Sequence, residues 1–332
     1  MAIEMDVQPT LLVGVGGTGS RIADRILKQV RQNNDVLGPG IRMLAVDTDE
    51  GDLEKLTDVP KDSRIRISEP EFVYRTLQRN AAVMDQWCYR DTDNEMTEDI
   101  KGKSLIVGAG QIRMLTRLAL HDRLTHGHIM ETMEAAISRL AVHSEGLSEQ
   151  KGVRIIMICS LGGATGSGSF IQLALVLRKA AENRGVLPMM RGLVLLPDIF
   201  NRSGKISQDE WDDLLSNGYA AMKELNAVNL RADLRDFPDD FTFEYAPGHF
   251  AGIGTKPFEE VVFIDYENSV GGSMGQNLDA YVNMAARSAY LNIFTPLGPK
   301  IASQSINRSR TSQRNLSDRQ LSSYSGIGIA GL

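Results

Sequence analysis

Three short glycine-rich runs carry the residue types that hold phosphates. The first reads Gly14-Val15-Gly16-Gly17-Thr18-Gly19-Ser20, the second Gly162-Gly163-Ala164-Thr165-Gly166-Ser167-Gly168, and the third Gly108-Ala109-Gly110-Gln111. Glycine admits backbone angles and close approaches that a Cβ forbids. Where such a run opens a helix, the first N–H groups have no intrahelical partners, and together with the helix dipole they attract an anion. Thr18, Ser20, Thr165, Ser167 and Ser169 add hydroxyls at the same places, which either reach a ligand or cap their helices.

The spacing narrows the chemistry. No lysine follows the first run, so it is not the phosphate loop that ends in Gly-Lys-Ser/Thr. Gly14, Gly16 and Gly19 do spell the dinucleotide fingerprint, with an acid, Asp47 or Asp49, at the end of the second strand. One pyrophosphate needs only one such loop, whereas two on one sheet edge suit the more highly charged tail of a nucleoside di- or triphosphate. Arg113 and Arg117, four apart and on one helical face, either neutralise a terminal phosphate or form a rim salt bridge.

Three rival readings stand beside this one. An ATP-dependent adenylating enzyme opens with a similar loop and an Asp-x-Asp, but it leaves residues 162–168 without a task, and this chain has no CxxC pair. An oxidoreductase would use Tyr219 and Lys223, which spell a proton-transfer pair on a helix far along the chain from any glycine loop. A nucleotide-gated scaffold would bind without turnover.

The elements that must position these loops follow from hydrophobic period. Strands are expected over residues 10–15, 41–46, 104–107, 154–159, 192–196 and 261–264, and helices over 21–30, 113–120, 128–142, 170–183, 210–225 and 276–294. The polar stretch 51–96 is expected to hold short helices around 73–87, and 234–255 an irregular excursion or hairpin at the edge. Strands alternating with helices make a doubly wound α/β domain with a mostly parallel sheet. The expected organisation is a nucleotide-binding domain over 1–298, a polar linker or tail over 299–323, and at 324–332 a strand that packs back on the sheet or begins a further domain.

Composition bounds the partners. A net charge of −6 over 332 residues supplies no global field for nucleic acid or an anionic membrane. The two cysteines, Cys88 and Cys159, form no CxxC, and Cys159 lies inside an apolar strand, which reads as inert core. No signal-like leader and no apolar run of 18 residues is present, so a cytoplasmic protein without membrane insertion is expected.

The second run resembles the glycine-rich motif of the tubulin/FtsZ superfamily, and the first resembles that family's first nucleotide loop. Asp47-Thr48-Asp49 and Gly108-Ala109-Gly110 fall where its second and third loops fall, in the same order, over residues 10 to about 295. Gly110-Gln111-Ile112-Arg113 and the stretch from Asn217 to Leu225 make the chain similar to the divergent bacterial tubulin-like proteins. The resemblance implies GTP or GDP with Mg2+, and self-association into filaments. It implies that Gly16, Gly17, Thr18, Gly19, Ser20, Ala109, Gly110 and Gln111 hold phosphates, with Asp47 in the second loop. Gly162, Gly163, Ala164, Thr165, Gly166, Ser167 and Gly168 would wrap the terminal phosphates. Pro197 would end a strand near the ribose, Asn217 would reach the sugar, Asp265 or Asn268 would stand near guanine, and Tyr281 would stack on the base. Arg21 replaces the asparagine from which the family's base contact would come. In the family, a loop after the central helix, bearing Asn-x-Asp-x-x-Asp, enters the neighbouring subunit and orients the attacking water. Here Asn277-Leu278-Asp279 spells part of it at the wrong end of the helix, position 282 is valine, and 303–323 offers only Asp318. Nucleotide binding with slow hydrolysis, if any, in the isolated chain is therefore expected.

Overall fold

The computed structural model describes residues 8–33, 38, 40–68, 105, 108–142, 152–202, 206–233, 243–252, 254–268, 270–295, 297–298, 300 and 324–327. The strands are β1 (Thr10–Val15), β2 (Ile41–Asp47), β3 (Arg64–Arg66), β4 (Gly152–Ser160), β5 (Leu187–Leu195), β6 (Phe243–Ala246), β7 (His249–Ala251), β8 (Glu260–Ile264) and β9 (Tyr324–Ile327). Seven of them form one sheet in the order β3-β2-β1-β4-β5-β8-β9, and every pairing in it is parallel. Parallel strands covered on both faces read as unbroken apolar runs, and β1 is buried at every residue. Alternate side chains divide between two cores. Leu11, Val13, Ile155, Met157 and Cys159 enter one, and Leu12, Ile156 and Ile158 the other.

The helices are α1 (Gly16–Gln32), α2 (Glu50–Glu54), α3 (Arg113–His126), α4 (Ile129–Ala141), α5 (Ala164–Asn183), α6 (Asp198–Asn201), α7 (Gln208–Asp233) and α8 (Leu278–Phe294). Residues of α4, α5 and α7 fill the first core, and those of α1 and α8 the second, which is the doubly wound arrangement expected. At the foot of the sheet, Arg154 of β4 donates through Nε to Thr10 Oγ1 (3.1 Å) and through Nη1 to the Asn292 carbonyl in the last turn of α8 (3.3 Å). Burial, with the neighbouring Arg191, pulls its pKa down to about 10, so it stays cationic at neutral pH, where a helix carboxyl end favours it.

Several boundaries differ from the sequence expectation. α1 and α5 begin inside the glycine runs, at Gly16 and Ala164, because the glycines there let the first turns rest directly on the sheet. α8 begins at Leu278, since the Asn277 side chain accepts from Ala280 N and caps the helix. β3 was missed because it is a three-residue edge strand with one apolar side chain, Ile65. Residues 234–255 contain the hairpin β6–β7, and β9 pairs with β8 at the sheet edge. The strand expected over 104–107, apart from Leu105, the helices around 73–87 and the segment 303–323 lie outside the described residues. Among the described residues no helix is long and apolar enough to cross a membrane.

Ile26 of α1 is fully buried in the second core. Ile26→Ala is expected to cost about 2–5 kcal/mol of stability, measured as a lower urea midpoint at unchanged slope.

Candidate functional site

Two helix starts meet on the carboxyl end of β4. A Cβ on Gly19 of α1 would lie 2.1 Å from the Ile158 carbonyl oxygen, and one on Gly166 of α5 would lie 2.1 Å from the Ser160 carbonyl oxygen. Backbone therefore rests on backbone at both places, and the two loops touch each other. Gly16, at φ +72°, sits with its Cβ position 3.3 Å from Gly166 N and 3.4 Å from Thr165 Cβ. The third loop is left-handed at Gly108, Gly110 and also at Gln111, with φ +65°, the only such non-glycine among the described residues. A strained residue of this kind persists only where its surroundings hold it. The Asn217 amide of α7 does so, donating to the Gln111 carbonyl (2.9 Å) and to the Gly162 carbonyl (3.2 Å).

The three loops open on one cleft of about 630 Å³, within the usual range for small-molecule sites. Among the expected residues, Gly16, Gly17, Thr18, Arg21, Asp47, Ala109, Gly110, Gln111, Gly163, Ala164, Thr165 and Gly166 line it. Its far wall, not anticipated from sequence, comes from Phe200 of α6, from Ile206, and from Glu210, Asp213 and Leu214 of α7. The helical spacing 210, 213, 214, 217 marks one face of α7, but nothing in the sequence says that this face meets the loops.

Other expected residues serve the scaffold. Gly19 is buried beneath the loop, and the Ser20 hydroxyl turns inward toward the Gly14 carbonyl (3.4 Å). Gly162 packs against Leu214, Gly168 against the Arg113 backbone, and Pro197 against Gly218. Ser167 Oγ donates to the Gly163 carbonyl (2.7 Å). Asn217 ties two loops together through the Gln111 and Gly162 carbonyls. Asp265 Oδ1 accepts from Tyr266 N, and Asn268 Oδ1 accepts from Val270 N and Gly272 N, closing the turn after β8. Tyr281 is fully buried, its hydroxyl donating to the Tyr266 carbonyl (2.7 Å) and accepting from Met274 N (3.0 Å). The enclosed ring packs as part of the second core.

The arginines after the third loop also turn away from the cleft. Arg113 donates to the Ser167 carbonyl (2.9 Å) and Arg117 to the Gly168 carbonyl (2.9 Å), and both pair with Glu224 of α7. Burial raises the Glu224 pKa, but the two guanidinium groups outweigh it and hold the carboxyl below its ordinary value. The pair clamps α3, α5 and α7 together and leaves Arg21 as the only cation in the cleft lining among the described residues. Tyr219 and Lys223 interact with each other on the outside of α7, and neither lines the cleft.

The electrostatic centre of the cleft is Asp47. Its Oδ1 accepts from Thr48 N (2.7 Å), Asp49 N (3.2 Å) and Thr165 Oγ1 (3.1 Å), and the Thr48 and Thr165 hydroxyls bond each other at 2.8 Å. Its Oδ2 is buried without any partner among the described residues. Asp49, Asp52, Glu210 and Asp213 also line the cleft, so among the described residues five carboxylates face one guanidinium. No group of three or more His, Cys, Asp or Glu among the described residues makes a complete cage for a metal ion.

A parallel doubly wound sheet with its loops converging at the strand carboxyl ends is the class of α/β domain that binds ligands at that edge. A family model described as "Tubulin like" matches residues 11–332, and the chain belongs to that family. Similar solved structures include CetZ from Methanosaeta thermophila strain DSM 6194, at 14% identity and TM-score 0.46, covering 85% of this chain and 52% of that one. CetZ1 from Haloferax volcanii, a GDP-bound monomer, is 17% identical with TM-score 0.40 and coverages of 84% and 58%. A TubZ protofilament in its GTPγS form from Bacillus thuringiensis serovar israelensis is 16% identical with TM-score 0.47 and coverages of 87% and 57%. The chain thus spans a little over half the length of the solved chains it resembles. No curated protein matches the sequence.

Burial pushes the Asp47 carboxyl up to about 7. Its native pKa exceeds the unfolded value of about 3.9, so between those two values the folded chain binds more protons than the unfolded one. Stability from this group is therefore greatest at low pH and is lost as pH rises from about 4 through about 7. Urea titrations of the nucleotide-free and cation-free protein at pH 5 and pH 8 are expected to show that loss, and Asp47→Asn is expected to make it smaller.

Proposed function

We propose that the cleft binds a guanine nucleotide, GTP or GDP, with Mg2+, and that the chain self-associates as a tubulin-like assembly protein. The observation that carries this reading is the convergence of all three glycine loops on one cleft, with N-terminal turns of α1 and α5 in contact through Gly16 and Gly166. Their free N–H groups supply a cradle for more than one phosphate. Membership of the tubulin-like family supports guanine as the base and filaments as the assembled form.

The residues also fit the cation. A buried carboxylate oxygen with no partner is costly, and Asp47 Oδ2 is one, at the end of the cleft where the loops meet. Mg2+ is commonly held by one or two carboxylates together with waters and substrate phosphates, which needs no complete protein cage. When bound, it supplies the positive charge that lets phosphates approach five carboxylates. Asp47 is the residue that would hold it, directly or through water, with Thr48 and Thr165 fixing the carboxylate by hydrogen bonds. Arg21 and the loop N–H groups would orient the phosphate tail.

The test is to identify the nucleotide that co-purifies with the chain and to measure GTP, ATP and NADH affinities with and without EDTA. Guanine in the cleft, weaker ATP and NADH binding, and a loss of GTP affinity in EDTA are expected. Gly166→Ala, which places a methyl against the Ser160 carbonyl, is expected to abolish binding, and Thr165→Ala to weaken it. Adenine in the cleft would overturn the base assignment. Sedimentation is expected to give more polymer in GTP than in GDP.

A further inference from the structure

α7 has an outer face, turned away from the loops. Its inner face is pinned, with Leu214 packed on Gly162, Asn217 on the Gln111 and Gly162 carbonyls, and Glu224 on Arg113 and Arg117. On the outside Leu215, Tyr219 and Met222 are all exposed, Tyr219 by 68%. Their spacing of four and three residues sets them in one strip along the helix. The strip has a charge at each end. Asp212 and Lys223 are exposed, and neither has an ion-pair partner among the described residues. The Lys223 ammonium lies 5.8 Å from the centre of the Tyr219 ring, within reach of a cation–π contact.

These five positions are arranged about one point. Asp212 and Lys223 have their midpoint between Asn217 and Gly218, and Leu215 and Met222 have theirs between Gly218 and Tyr219, about 1.5 Å further along the helix. A second α7 laid antiparallel across that point sets Asp212 against Lys223 twice and lays the apolar strip on itself. A parallel copy would instead set like charges side by side. A patch that complements itself when reversed is what a two-fold interface requires. We propose that the chain forms a closed two-fold dimer through the outer face of α7, with Asp212 of each copy paired with Lys223 of the other. The aromatic and apolar side chains supply the contact energy, and the charges fix direction and register. The inner contacts already hold α7 in place, so association has no helix to order. This dimer is distinct from end-to-end growth of a filament and does not depend on what the cleft binds.

The experiment is sedimentation equilibrium of the full chain, stripped of nucleotide and kept in EDTA, over a wide range of concentration. A monomer–dimer equilibrium is expected. Tyr219→Asp is expected to raise the dissociation constant about 30-fold with the urea midpoint of the monomer unchanged. Asp212→Lys and Lys223→Asp are each expected to shift the equilibrium toward monomer, because like charges then meet across the axis. An equal mixture of these two variants is expected to recover the dimer, since opposite charges meet again. A monomer at every concentration, an open series of larger species, a dimer indifferent to all three substitutions, or a mixture that fails to recover would each overturn the proposal and leave the nucleotide reading standing.

Discussion

The site depends on how close two helices come to one strand. At Gly19 and at Gly166 the first turns of α1 and α5 rest on carbonyl oxygens of β4 with no room for a methyl group. Real Cβ atoms do not approach within 2.1 Å of an oxygen, so any side chain at either position lifts a helix off the sheet. Lifting either one separates Gly16 from Gly166 and Thr165, and the cradle comes apart. The glycines lower helix propensity by about 1 kcal/mol each, a cost set against the anion-binding geometry that they alone permit.

Charge is the second constraint. The helix starts bring partial positive charge into the cleft, yet the charged side chains in its lining are mostly acidic, with Arg21 the only cation among the described residues. The arginines that would have balanced it are spent on the scaffold, where Arg113 and Arg117 hold α5 carbonyls and Glu224. A cleft so lined with carboxylates disfavours a bare anion among its side chains. Asp47 is half-paired, buried without a partner on one oxygen and hydrogen-bonded on the other, and burial raises its pKa.

α7 links the two constraints. Asn217 holds the left-handed Gln111 and the entrance to the second loop at once, so the third loop keeps its shape only while α7 is in place. The far wall of the cleft is therefore part of the same packed unit as its floor, and Phe200, Asp213 and Leu214 face the loops at fixed positions.

Most of the described strands, the main helices and the three loops were legible in the chain because they are local matters, whereas the short edge strand β3 was not. Apolar period, glycine spacing and an acid at a strand end act over a few residues, and the doubly wound parallel sheet follows from their alternation. The direction in which each polar side chain points was not legible. The four-residue spacing of Arg113 and Arg117 says that they share a face, but only the packed position of α5 turns that face toward backbone carbonyls. Tyr281 sits on a helix that could present it to a ligand, and the segment after β8 holds it through Tyr266 and Met274 instead. Asp213 stands amid an ordinary amphipathic helix, and it reaches the cleft because Leu214 and Asn217 lock α7 there. Sequence by itself determined the elements and the loops, since short-range sterics decide them. Tertiary structure decided which side chains share a cavity, since that depends on neighbours brought from more than a hundred residues away.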